Sequence, residues 1–164
     1  MADDTSSWSG DFNDLGLDDQ HAVAQLVVEG RAVVGTVDDL LARLKRSRSV
    51  ALLREKRTNR IIAVAALKRP AAAYRRGSFI KADASIAGFE TAAELGYVVV
   101  SPDMRGKHLS GILVAAIVEQ ITAPTFATTD SDTMRHNLER SGFTRIGSEW
   151  EGKKGMLSLW TITP

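Results

Sequence analysis

Residues 94–129 limit the folds open to this chain more than any other stretch. Val98, Val99 and Val100 are β-branched, as strand interiors favour, and Pro102, which has no N–H to give a ladder, stops the strand. A helix over 110–122 follows almost at once, with Ile112, Leu113, Ala116, Ile117 and Ile121 as its core-facing stripe. Residues 125–129 then read as a second short strand. Strand, helix and strand in that order require a parallel pair. On both sides the sequence asks for antiparallel hairpins instead. The apolar runs 49–55 and 60–67 are separated by Lys56-Arg57-Thr58-Asn59, and the runs 143–150 and 156–162 by Glu151-Gly152-Lys153-Lys154-Gly155. A parallel centre with antiparallel flanks is a mixed sheet, and the fold class is therefore α+β.

Helices complete the outline. Ala22, Val23, Leu26 and Val27 share one face of a helix over 17–29, and Thr36 can cap a second helix whose stripe is Leu40, Leu41 and Leu44. Residues 70–92 form a long connection with no assigned element. Met134 and Leu138 lie one turn apart on a last helix that Gly142 ends. Residues 1–12 are expected to be a disordered tail, and 13–164 a single domain, since 164 residues with 44% hydrophobic content suit one core.

The chain has no cysteine and only three scattered histidines, so disulfides, thiolate chemistry and a metal site are not expected. No apolar run is long enough for a membrane span, and the N-terminus is acidic where a signal peptide would be basic and then apolar, which makes a cytoplasmic protein the expectation. The net charge of +1 conceals blocks of −7 (residues 1–30), +11 (31–81) and −3 (82–164). The basic block either faces an anion, including a nucleic acid, or is a solvated surface; a pI near 8.1 is below that of a typical nucleic-acid domain.

After Pro102 comes Arg105-Gly106-Lys107-His108-Leu109-Ser110-Gly111, small residues and cations at a helix start. Free N–H groups and the positive end of the helix dipole favour an anion there, and a pyrophosphate would fit. Val100-Ser101-Pro102 with Arg105-Gly106-Lys107 resembles the acyl-CoA-binding motif of the Gcn5-related N-acetyltransferase (GNAT) family, with His108 and Ser110 where that motif carries later glycines. Residues 131–147 resemble the helix and strand that follow in the same family.

The resemblance implies a GNAT-like sheet with splayed central parallel strands, acetyl-CoA as acyl donor, and an amine-bearing small molecule or peptide as acceptor. It assigns Val98, Val99, Val100, Arg105, Gly106, Lys107, His108, Leu109, Ser110, Gly111 and Ser131 to the coenzyme, with a backbone N–H near Val99 polarising the thioester carbonyl. An alkylamine is mostly protonated at neutral pH, so a carboxylate helps, and Glu94 stands where some GNAT enzymes place their base. The family's tyrosine acid is replaced by Leu138, leaving Tyr97 or water to protonate the thiolate. A coenzyme-binding module without turnover and an acceptor amine carried on a nucleic acid are the alternatives, and a homodimer is left open.

Overall fold

The computed structural model describes residues 4–30 and 33–164. Among these described residues seven strands form one sheet in the order β1-β2-β3-β4-β5-β7-β6. They are β1 (Thr5–Gly10), β2 (Ser49–Glu55), β3 (Ile61–Lys68), β4 (Ala93–Val100), β5 (Thr125–Thr129), β6 (Thr144–Glu151) and β7 (Met156–Ile162). The helices are α1 (Leu17–Glu29), α2 (Val37–Lys45), α3 (Ala72–Lys81), α4 (Leu109–Val118) and α5 (Asp132–Arg140). Only β4 and β5 run parallel, and every other neighbouring pair is antiparallel, as the mixed-sheet expectation requires.

Local chemistry accounts for most boundaries. Thr36 Oγ1 accepts from Asp39 N while the Asp39 carboxylate accepts from Thr36 N, a reciprocal cap that fixes the start of α2. Leu40, Leu41 and Leu44 then bury their side chains with Val23 and Val27 of α1 against β2, β3 and β4. On the opposite face α4 sets Leu109, Leu113, Val114 and Ile117 against Ala51, Ile62 and Leu95, with Leu138 of α5 beside them.

Two expectations are corrected. The tail at 1–12 is not disordered where it is described: from Thr5 to Gly10 it is an edge strand in register with β2, Trp8 packs on the α1–α2 core, and Phe12 is fully buried. Residues 1–3 lie outside the described residues. An edge strand needs only one neighbour for its ladder, so a run of Ser and Thr with one aromatic anchor suffices. The connection 70–92 contains α3, whose Phe79 stacks edge-on with Phe126 of β5 at 5.5 Å between ring centres. Its single buried aromatic and Gly77 leave too little apolar periodicity for a sequence pattern.

The feature that positions the site is the parting of β4 from β5. They pair only at Ala93–Thr125 and Glu94–Phe126, although both strands continue. Within β4, Gly96 and Val99 oppose Ala66 and Val64, so Tyr97 and Val98 together face Ala65 alone. This is a β-bulge, and Tyr97 takes its bend with a φ of 52°.

Candidate active site

Two cavities open on opposite faces of the sheet and share Val98, Ser131 and Met134 along the split between β4 and β5. The first, about 610 Å³, lies at the start of α4 and is lined by Val98, Val100, Arg105, Gly106, His108, Leu109, Ser110 and Gly111, together with Ser131. Nine of the eleven residues expected to hold the coenzyme are thus brought together. Val99 points to the other face, where its methyls crowd Gly30 at the end of α1, leaving only its backbone toward the gap. Lys107 turns its ammonium toward Met104 Sδ at 3.9 Å and borders a separate depression with Glu55, Lys56 and Arg57.

The loop that precedes α4 is pinned to β3. Asp103 accepts from Ser101 Oγ at 2.6 Å and pairs with Arg60 at 2.5 Å; these hydrogen bonds hold its carboxyl at a pKa of about 2. Gly106 follows at φ 81°, and His108 occupies the N-cap of α4 in the left-handed region, at φ 60° and ψ 25°. No side chain caps α4, so its first N–H groups remain directed at the cavity mouth beside Arg105. Backbone and imidazole thereby occupy a place where glycine would be unstrained.

Sequence reasoning missed the contribution of α5. Thr133, Asn137 and Arg140 line the same cavity, and the Asn137 amide, largely buried, donates to Ser110 Oγ at 3.0 Å. The spacing of four and three residues puts all three on one helical face, a polar stripe that could have been found. Ser131 accepts from Met134 N at 3.3 Å as the N-cap of α5 and lines both cavities.

The second cavity, about 700 Å³, lies under α3, the α1–α2 connection and the β6–β7 turn. Its inner end is a cluster of four polar groups. Glu94, only 3% exposed, lies opposite Lys68 in the β3–β4 register, with Lys68 Nζ 2.8 Å from Oε1. Tyr74 of α3 donates its hydroxyl to Glu94 Oε2 at 3.0 Å. Lys68 reaches across Gly96, where a side chain would collide with its Cδ, and sits 4.5 Å above the Tyr97 ring. Burial disfavours the Lys68 ammonium, but the charge of Glu94 and the contact with it outweigh that, and its pKa is raised. Burial and the same carboxylate raise that of Tyr74. Tyr97 is itself buried beneath Lys68, and Leu138, where the family's tyrosine would stand, is fully buried at the cavity wall.

Part of the basic block is paired or bonded internally. Arg54 pairs with Asp19, Arg60 with Asp103 and Lys68 with Glu94, while Arg75 donates to three backbone carbonyls. Among the described residues no group of histidine, aspartate or glutamate could hold a metal, and no helix is long and apolar enough to cross a membrane.

No family model and no curated protein matches the sequence. Solved structures do match along nearly the whole chain. An acyl-CoA N-acyltransferase from Pseudomonas aeruginosa superposes with a TM-score of 0.67 at 15% identity, covering 96% of this chain and 98% of its own. A GNAT-family acetyltransferase from Streptococcus agalactiae gives 0.68 at 11% identity, over 96% and 95%. YncA from Salmonella typhimurium, solved with its cofactor acetyl-CoA, gives 0.66 at 16%, over 97% and 93%. Superposition over nearly the full length of each chain shows a shared overall fold, and this chain has the GNAT fold.

Proposed function

We propose that this protein is an acyl-CoA-dependent N-acyltransferase, with acetyl-CoA as donor and a primary amine of a small molecule or peptide as acceptor. The observation that carries the reading is the meeting of the two cavities at Val98, Ser131 and Met134: a thioester entering from the α4 face reaches an amine entering from the α3 face. The N–H groups at the start of α4 and Arg105 hold the pyrophosphate, and Ser110, Asn137 and Ser131 border the arm that follows. The acceptor ammonium gives up a proton to Glu94, the free amine attacks the carbonyl carbon, and a backbone N–H near Val99 stabilises the oxyanion. The C–S bond then breaks with its electron pair going to sulfur, the nitrogen loses its second proton to solvent, and Glu94 releases the first to solvent as well. Thiolates are stable enough near neutral pH for solvent to protonate them, so we assign Tyr97 to the cavity wall rather than to an acid role.

Calorimetric titration with acetyl-CoA tests the donor site. Arg105→Ala should weaken binding about tenfold, with a smaller loss at high salt, because one exposed charge-assisted contact is removed. Failure of the folded, unsubstituted protein to bind acetyl-CoA would reject the proposal. Leu138 supports a second reading, a binding module without turnover, because its buried methyls stand where a proton donor would be. Thiol release from acetyl-CoA across an amine panel separates the two.

A further inference from the structure

Glu94 is 3% exposed, and burial penalises a charged carboxylate far more than a neutral one. A protonated Glu94 could not accept a proton from an acceptor. Its surroundings prevent this. Lys68 contributes charge from β3, and Tyr74 contributes a hydrogen bond from α3 to the other oxygen. The Lys68 ammonium stands 2.8 Å from Oε1, which is itself buried, so the charge on that oxygen is balanced at contact distance. The Tyr97 ring beneath Lys68 fixes where the ammonium rests, and Asp130, Lys153 and Lys154 are the other charged groups bordering the cavity.

We propose that Lys68 and Tyr74 are positioning residues that keep Glu94 ionised and aimed into the acceptor cavity, and so set the pH below which transfer fails. This role depends on the protein being an acyltransferase. Neither residue touches the donor cavity, so their effect is on proton acceptance and not on coenzyme affinity.

The test is the pH dependence of kcat/KM in Lys68→Met, Lys68→Arg, Tyr74→Phe and Glu94→Gln, run beside a ¹³C titration of the glutamate carboxyls, with the Glu94 signal identified by its loss in E94Q. Lys68→Met should move both the acid limb and the carboxyl midpoint upward by at least about one pH unit, with activity recovering at higher pH. Tyr74→Phe should move them less in the same direction, Lys68→Arg should stay near the unsubstituted protein, and Glu94→Gln should remove the limb. A limb and a carboxyl midpoint unchanged in Lys68→Met overturn the proposal, as does a rate lowered equally at every pH. Should Lys68→Met fail to fold, Tyr74→Phe decides the same question, since it removes only the hydroxyl. Loss of acetyl-CoA binding or turnover in the unsubstituted protein defeats the acyltransferase reading instead, and the carboxyl titration still decides the role of Lys68.

Discussion

Replacing Arg75 by methionine should unfasten α3 from the sheet and, with it, Tyr74, whose hydroxyl donates to Glu94. Arg75 is buried, and its guanidinium donates to Ala92 O at 2.9 Å, Glu90 O at 2.9 Å and Pro70 O at 3.3 Å. One side chain thus ties both ends of the 70–92 connection together. A hydrogen bond from a charged donor contributes about 1.5–3 kcal/mol net. The third bond is long, and removing a buried cation recovers its desolvation cost, so the three together come to about 2–4 kcal/mol. For a chain of this size that is a fall in Tm of roughly 5–15 °C. Methionine keeps most of the stem volume, which confines the loss to the donors. Urea unfolding should show a lower midpoint at unchanged slope. Arg75→Lys should recover less than half, because a single ammonium cannot reach three carbonyls set in a fork. A loss below about 0.5 kcal/mol in Arg75→Met, or full recovery in Arg75→Lys, would refute the reasoning.

Two further changes read other parts of the site. Asp103 titrates at about 2 in the fold against 3.8 for the ordinary group, so its contribution to stability is present above pH 3.8 and is lost as pH falls toward 2. Acid unfolding of Asp103→Asn followed by circular dichroism should lack that component, and a curve identical to the unsubstituted protein would show that the loop is held otherwise. His108→Gly should stabilise the chain by about 1 kcal/mol by relieving a left-handed backbone, while any loss of acetyl-CoA affinity measures what the imidazole adds. A variant less stable than the original would mean that the side chain, rather than the backbone, holds the turn.

Six of the seven strands were legible because their signals are local; β1, in a segment expected to be disordered, was not. Three valines stopped by a proline, two polar turns between apolar runs, and the Thr36 cap each dictate structure within a few residues, and together they require one parallel pair among antiparallel ones. The cavity at the start of α4 was legible for the same reason, since most of its wall comes from one continuous stretch, 98–111. Lys107 is the exception: the bend at Gly106 and His108 decides which way it faces, and that bend is a matter of φ rather than of residue type. The cavity under α3 was not legible. Glu94, Lys68 and Tyr74 meet only through a strand register and a helix whose anchors are a buried arginine and an aromatic pair, and none of these leaves a periodic trace.

The parting of β4 and β5 carries an energetic cost of its own. Both strands run on past their last pair, β4 to Val100 and β5 to Thr129, so a row of backbone groups faces a gap in the middle of a buried sheet. Central strands elsewhere in this sheet satisfy those groups on both edges, and leaving them open is costly unless something else bonds to them. Water can do so in an empty cleft, but water offers no register. An extended arm carrying amides at strand-like spacing does, and it would complete both edges at once, as an added strand does when it binds a sheet edge. The bulge at Tyr97 interrupts the pairing of β4 with β3 beside that gap, where the two cavities join. On the proposed function, an acyl-CoA arm bound there would recover the cost of the split, and a stabilisation of β4 against hydrogen exchange that appears with acetyl-CoA and is absent with adenosine diphosphate alone is the expected signature.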